Sequence, residues 1–326
     1  MKRLIFLDEL RGLAILCIML FHYLYLYDLR YGHLYTFSLN FHWGGFFGIY
    51  LFFVISGFVV MKSLERVKKP LDFIINRLSK LYPSYWLAMI ITYTFVFIFG
   101  LPGREVGFKD FLINLSMLQH WLGVPDVDGV YWILPIFLIF YGFIFLTLLT
   151  KQLKHIEIIG VGWLIIEVGL RLINFPYREL IRSFFGFFDY AHLFLIGILF
   201  YQLKTKGFIW WRNLLIWLVF LIELSNHKTT EPISLLVILT IFYLIIINKL
   251  QIMENRLFKW LGQISYPLFL VHTNIGYVVI QKVYTFSDSP LLILGLPFLI
   301  TLLLATAIHY WIEKPALTAI RNIYYK

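Results

Sequence analysis

The sequence predicts an all-α fold: a polytopic transmembrane helical bundle of about ten spans, with one short interfacial or re-entrant helix added. Three observations predict it. Of 326 residues, 60% are hydrophobic and only 14% charged, where a soluble domain carries roughly 25% charged residues. The mean hydropathy is +0.80. The apolar residues arrive in runs of about 17 to 23, the length that crosses a hydrocarbon core as helix. One membrane-embedded domain over residues 1–326 is the simplest partition, because neither an internal repeat nor a low-complexity linker interrupts the chain.

Hydropathy places the spans near 9–27, 44–61, 82–100, 130–150, 156–174, 188–203, 208–225, 232–248, 264–284 and 290–312. The first could be mistaken for a signal peptide, since Lys2 and Arg3 precede an apolar run. Asp8, Glu9 and Arg11 break the usual order, however, and no small-residue cleavage site follows, so an uncleaved first span is expected. In the second span, Gly44, Gly48 and Gly57 permit close helix approach. The third begins with Tyr82, Tyr85 and Trp86, which suit an interfacial aromatic belt as readily as a substrate surface. Between the third and fourth lies "FKDFLINLSMLQHWLG" (108–123), too short and polar to cross. With Phe108, Phe111, Leu112, Leu115 and Leu118 on one side it reads as the interfacial or re-entrant helix. In the ninth, Ser265 and Tyr266 precede Pro267 and can bond backbone freed at a break. Glu313 closes the tenth, where it can balance an arginine.

The formal charge of +10 is no sign of nucleic acid, because basic residues of membrane proteins collect in cytoplasmic loops. With the N-terminus inside, the opposite side holds only Arg30, Arg104, Lys109, Arg178, Arg182 and Lys228 of the 28 lysines and arginines. Arg11, Arg171 and Lys282 fall within spans, and all others are cytoplasmic. Both termini are therefore expected in the cytoplasm, in a multi-pass protein of the cytoplasmic (inner) membrane. Cys17 is the one cysteine, so no intramolecular disulfide can form and cysteine-rich metal sites are excluded. No metal is expected.

The chemistry concentrates in "LDELRGLAILCIMLFHY" (7–23). Between Arg11 and His22 lie eleven steps of about 100°, three turns plus about 20°, so both side chains leave one helix face, roughly 16 Å apart along the axis. Asp8 precedes Arg11 by three residues and can pair with it. A cation within a span costs about 2.5–3.5 kcal/mol and usually faces protein interior or a watery cavity, although Arg11 alone could snorkel to lipid phosphate. Neutral imidazole can take a proton from an attacking hydroxyl, or itself act as nucleophile; a packing histidine is the plain alternative for His22.

This stretch resembles the N-terminal signature of the membrane acyltransferase-3 family, whose hallmark is Arg, ten residues, His. The resemblance continues in family order through "GGFFGIYLFFVISGF" (44–58), "RLSKLYPSYW" (77–86), "HLFLIGILFY" (192–201), "LGQISYPLFLVH" (261–272) and "IEKPA" (312–316). It implies an integral membrane O-acyltransferase with about ten core helices. Such an enzyme moves an acyl group, often acetyl, from cytoplasmic acyl-CoA to a hydroxyl of a carbohydrate or lipid-linked glycan acceptor, such as a cell-envelope sugar or exopolysaccharide. Acetyl-CoA, or another acyl-CoA, is then a co-substrate and no cofactor is bound permanently. Membrane lipids are the remaining partners. Some relatives carry an additional extracytoplasmic hydrolase-like domain, for which no room is expected here.

In these terms His22, Arg11 and Asp8 are the candidate catalytic group, with Arg11 orienting Asp8, binding donor, or both. The loop "MKSLERVKKPLDFIINRLSK" (61–80) supplies Arg66, Lys69, Arg77 and Lys80 as candidate donor-binding residues, since bidentate arginines suit phosphate and lysine adds a point charge. Positive-inside topology explains part of that loop equally well. His120, Trp132 and Tyr141, in or after the outer connection with Trp121 and Asp126, offer the aromatic and acidic surface a sugar would meet. His272 matches the family's C-terminal histidine, as a substrate contact or a packing residue. Phe137 departs from the pattern, for relatives often have glutamate five residues after the tryptophan. A transporter of a small anionic or sugar-like solute is the alternative from another class, although the repeats that transporters commonly show are absent. A structural membrane subunit is the third.

Overall fold

Helix α1 (Ile5–Leu20) runs on through a π turn at Phe21–Leu26 into α2 (Tyr27–Tyr31), where Gly32 at φ 73° ends it. The computed structural model describes residues 5–34, 41–172, 184–225, 229–249 and 255–325. The charge assignments for Lys2, Arg3, Arg178, Arg182, Lys228 and Lys326 lie outside these residues. Next come α3 (His42–Leu64), α4 (Pro70–Phe99), α5 (Phe108–Asn114), α6 (Leu134–Leu149) and α7 (Ile156–Leu172). The second half adds α8 (Ala191–Lys206), α9 (Trp210–Leu224), α10 (Thr230–Ile246), α11 (Arg256–Val271) and α12 (Thr273–Val283). Helix α13 (Pro290–Ile308) passes through a second π turn, His309–Glu313, into α14 (Lys314–Tyr324). No strand occurs among the described residues.

Among the described residues each apolar run is helical, and of the ten expected crossings five helices are long and apolar enough on length and composition: Phe6–Tyr31, His42–Leu64, Pro70–Phe99, Gly129–Leu149 and Pro290–Tyr324. Helices α7 to α10 have 17, 16, 15 and 17 residues. At 1.5 Å per residue the described parts reach roughly 22–26 Å, at or just under the shortest helices that cross a hydrocarbon core. The ninth run is divided at His272 into α11 and α12.

Helix α4 begins twelve residues before the apolar run that announces it, at Pro70, whose fixed φ and missing donor suit a first helical turn. The Asp72 carboxylate accepts from the backbone N–H of Lys69 at 2.9 Å and of Lys68 at 3.1 Å, satisfying donors outside the helical ladder. Arg77 and Lys80 therefore stand on the same rigid helix as the span.

Helix α1 packs along α11 and α3, and α3 also packs along α8. A methyl group on Gly262 would fall on the Asp8 carbonyl, one on Gly57 on the Phe194 carbonyl, and one on Gly48 near the Ala14 carbonyl. Only glycine lets these backbones meet.

The connection after α4 differs from the expected longer surface helix. Helix α5 stops after seven residues, and Met117 turns the chain at φ 61°. The hydroxyl of Tyr85 donates to the Asn114 carbonyl at 2.7 Å, Trp86 Nε1 to that of Leu115 at 2.9 Å and Tyr82 to that of Ser116 at 2.9 Å. These aromatics of α4 thus act as a clamp on the carbonyls at the end of α5, of which that of Asn114 also accepts from the Met117 N–H at 3.0 Å.

Candidate active site

Both ends of the described chain lie at one end of the bundle, where they line the same hollow. This cavity has a volume of about 830 Å³, within the usual range for a site that encloses a small molecule. Arg11, Lys62, Arg66, Arg77, Lys80, Lys314 and Arg321 line it, against the carboxylates of Asp8 and Glu313. The surplus of cations favours a multiply charged anion. Lys69 is absent from the lining; it is exposed and occupies the N-cap of α4. Lys314 and Arg321 were legible in sequence only as topology charges.

Around the cavity the cations are held by specific partners. Asp8 Oδ1 lies 3.6 Å from Arg11 Nη1. Arg77 donates to the Ser63 hydroxyl, and its guanidinium carbon lies 5.2 Å from the Phe73 ring centre and 5.4 Å from that of Tyr141, so ring faces and a hydroxyl hold the guanidinium. Arg321 Nε donates to Asn76 at 2.8 Å and the Tyr324 hydroxyl to Asp72 at 3.0 Å, fixing α14 on α4 as one wall. Glu313, in the second π turn, lies 3.0 Å from His309 Nδ1.

A smaller chamber of about 120 Å³ shares Arg11, Arg77, Lys80 and Glu313 with this cavity. Farther from the chain ends its wall becomes apolar, formed by Phe52, Ile133, Leu134, Phe137 and Phe269. The Phe52 and Phe269 ring centres are 6.4 Å apart, and Phe269 lies 5.7 Å from His272. His22 follows at 4.8 Å, centre to centre, from His272. His22 lines neither hollow. The expected continuous passage from Arg11 to His22 is thus interrupted by the Phe52–Phe269 layer in this conformation.

His22 is buried within the first π turn, an irregularity that recurs at functional positions of helices. Its Nδ1 lies 2.8 Å from the Ile18 carbonyl and 3.3 Å from His272 Nε2. A carbonyl can only accept, so the proton is assigned to Nδ1 of His22, and Nε2 is the basic nitrogen. The same argument applies to His272, whose Nδ1 faces the Phe269 carbonyl at 2.8 Å. His272 Nε2 is then an acceptor, 3.1 Å from the Thr273 hydroxyl. The Tyr23 hydroxyl donates to the His272 carbonyl at 2.8 Å and ties the chain at this break back to α1's extension.

The four candidate acceptor residues do not converge. Tyr141 lies beneath Arg77 at the chamber, and His272 lies against His22. Trp132 packs 5.7 Å from the Tyr190 ring. His120 is exposed beyond α5. Ser265 donates to the Gly262 carbonyl at 2.9 Å and Tyr266 to that of Leu81 at 3.0 Å, whereas the carbonyl that Pro267 deprives of its helical donor is that of Gln263.

A separate buried polar group, unread in the sequence, joins α3, α7, α8 and α9. His192 Nδ1 is 2.7 Å from Glu167, Arg171 is 2.5 Å from the same carboxylate, and the Tyr50 hydroxyl donates to Glu223 at 2.6 Å. Among the described residues no cluster of three or more metal-ligating side chains is found.

Several known proteins are similar to this chain. Proteins provisionally named O-acetyltransferases from Staphylococcus aureus strains COL and MRSA252 are each 22% identical over 95% of the chain and 56% of their own length. The chain thus spans about half the length of these curated relatives. A provisionally named acetyltransferase of Acidianus two-tailed virus is 23% identical over 81% of each chain. No solved structure matches. A family model described as an acyltransferase domain, acyltransferase-3, matches residues 4–311, and this membrane protein belongs to that family.

Proposed function

We propose that the chain is a membrane O-acyltransferase that draws an acyl group, acetyl in the first instance, from cytoplasmic acyl-CoA. It passes that group to a hydroxyl of a carbohydrate or lipid-linked glycan arriving from the opposite end of the bundle. The carrying observation is the cation-lined cavity of about 830 Å³ that narrows to an apolar chamber backed by the His272–His22 pair. The phosphates of a nucleotide-borne thioester suit Arg66, Arg77, Lys80 and Arg321, and the thin pantetheine arm suits the narrowing. The cation surplus supports a cytoplasmic position for this end of the bundle.

Transfer requires the Phe52 and Phe269 rings to turn aside so that the thioester meets His22. Nε2 of neutral His22 then takes the acceptor's hydroxyl proton while the oxygen forms a bond to the thioester carbon. The carbon–sulfur bond breaks, and the departing sulfur receives the proton from the imidazolium. An acyl-histidine route uses the same nitrogen as nucleophile and hands the acyl group to the alcohol in a second step. Arg11 with Asp8 stands at the mouth of the narrowing, where it guides the donor.

Purified protein in lipid vesicles, given labelled acetyl-CoA and a glycan extract, tests this reading. His22→Ala should lower transfer by about 10²–10⁴-fold, the span typical of a lost acid–base group, with unchanged insertion and donor binding. Full turnover in that variant refutes the role of His22, and solute flux without transfer favours a transporter.

A further inference from the structure

The chamber wall carries information about the acyl group itself. On two helices the lining turns from polar to apolar with distance from the chain ends, Tyr141 to Phe137 on α6 and Gln263 to Phe269 on α11, while α3 contributes Val59, Ser56 and Phe52. The charged mouth therefore gives way to an apolar end walled by Phe52, Phe137 and Phe269, of which the proposed transfer moves Phe52 and Phe269 and leaves Phe137 in place. Phe137 is only part-buried, with chamber space on one side. Its ring centre lies 5.4 Å from Phe53, 5.7 Å from Phe194 and 6.2 Å from Tyr141. Phe194 is stacked in turn at 4.1 Å on Phe140. A ring braced on three sides cannot swing out to lengthen the chamber, because packed interiors yield little.

Size then decides what fits. An apolar cavity of about 150 Å³ holds benzene, six carbons, and the chamber offers about 120 Å³, some of it at the polar mouth. We infer that Phe137 is the specificity-determining residue for acyl length and restricts the donor to straight-chain acyl-CoA of about two to four carbons. The inference rests on the donor reading proposed above.

Competition for bound labelled acetyl-CoA by unlabelled acetyl-, butyryl-, hexanoyl- and octanoyl-CoA tests it, with full-length protein in nanodiscs. Each methylene that finds apolar cover is worth roughly fourfold in affinity. Wild type should bind octanoyl-CoA at least tenfold more weakly than butyryl-CoA. Phe137→Ala should raise octanoyl relative to acetyl affinity at least tenfold, and the milder Phe137→Leu should move the ratio the same way by less. A ratio unmoved in both variants while acetyl-CoA still binds overturns the role of Phe137 alone. Wild type that binds neither acetyl-CoA nor CoA overturns the donor reading and the inference with it.

Discussion

At the residue scale, the proposed transfer turns on a single proton position. The Ile18 carbonyl and His272 Nε2 both face Nδ1 of His22, which keeps the basic lone pair on the other nitrogen. In the proposed reaction His272 is a positioning residue, since it reaches His22 at 3.3 Å and lines neither hollow. His272→Gln, whose amide oxygen can accept where Nε2 does, should retain more turnover than His272→Leu. One lost hydrogen bond of about 1–1.5 kcal/mol corresponds to roughly tenfold in rate. The loss should fall on kcat with the donor KM unchanged; an equal loss in both variants, or a loss confined to KM, counts against positioning. The Arg11–His22 spacing was readable because it is local to one helix, but the structure puts Arg11 on the walls of both hollows and His22 on neither. His272's part was not readable, for 250 residues separate it from His22.

At the element scale, the connection after α4 is stabilised by donors of the neighbouring helix. Tyr85 is fully buried and its hydroxyl serves the Asn114 carbonyl. The same carbonyl also accepts from the Met117 N–H at 3.0 Å, so Tyr85→Phe should destabilise the protein by only about 0.5–1.5 kcal/mol, the net worth of one hydrogen bond, read by thermal unfolding in detergent. Farther along, Asp128 joins this connection to α12 by accepting from the backbone N–H of Asn274 at 2.9 Å and of Val130 at 3.3 Å. Burial pushes the Asp128 carboxyl up to about 7 from its ordinary 3.8. A carboxyl raised in the folded state contributes stability that is complete below pH about 4 and is lost as pH rises through about 7. The melting temperature should therefore fall between pH 5 and 8, and Asp128→Asn should flatten that slope; parallel slopes would refute the assignment. Helix existence was readable from run length, whereas the aromatic clamp was read as a possible belt because a sequence does not say which carbonyls lie within reach.

For the whole molecule, close backbone contacts set the spacing of the core. Gly197 of α8 faces Gly57 of α3, and a methyl on Gly197 would fall on the Val54 carbonyl. Gly197→Val should cost about 1–3 kcal/mol or more through overpacking and lower the yield of folded protein, while His22→Ala leaves it unchanged. Charge acts on the same scale. Arg66 and Arg321 enter the 830 Å³ cavity from α3's end and α14, so Arg66→Ala and Arg321→Ala should each weaken CoA binding several-fold. Raising salt from 0.05 to 0.5 M should weaken wild-type binding more than that of either variant, because screening acts on charges the variants have lost. Equal salt slopes would remove both residues from the donor site.

Run lengths, hydropathy and the Arg11–His22 spacing are local properties, so the sequence by itself determined a helical membrane protein with one marked face on its first helix. The tertiary structure alone decided that Lys314 and Arg321 share a cavity with Arg77, that Lys69 does not, and that the Phe52–Phe269 pair separates the chamber from His22. These depend on which helices meet and at what depth. Packing between segments far apart in the chain settles that, and the short-range patterns that form each helix do not encode it.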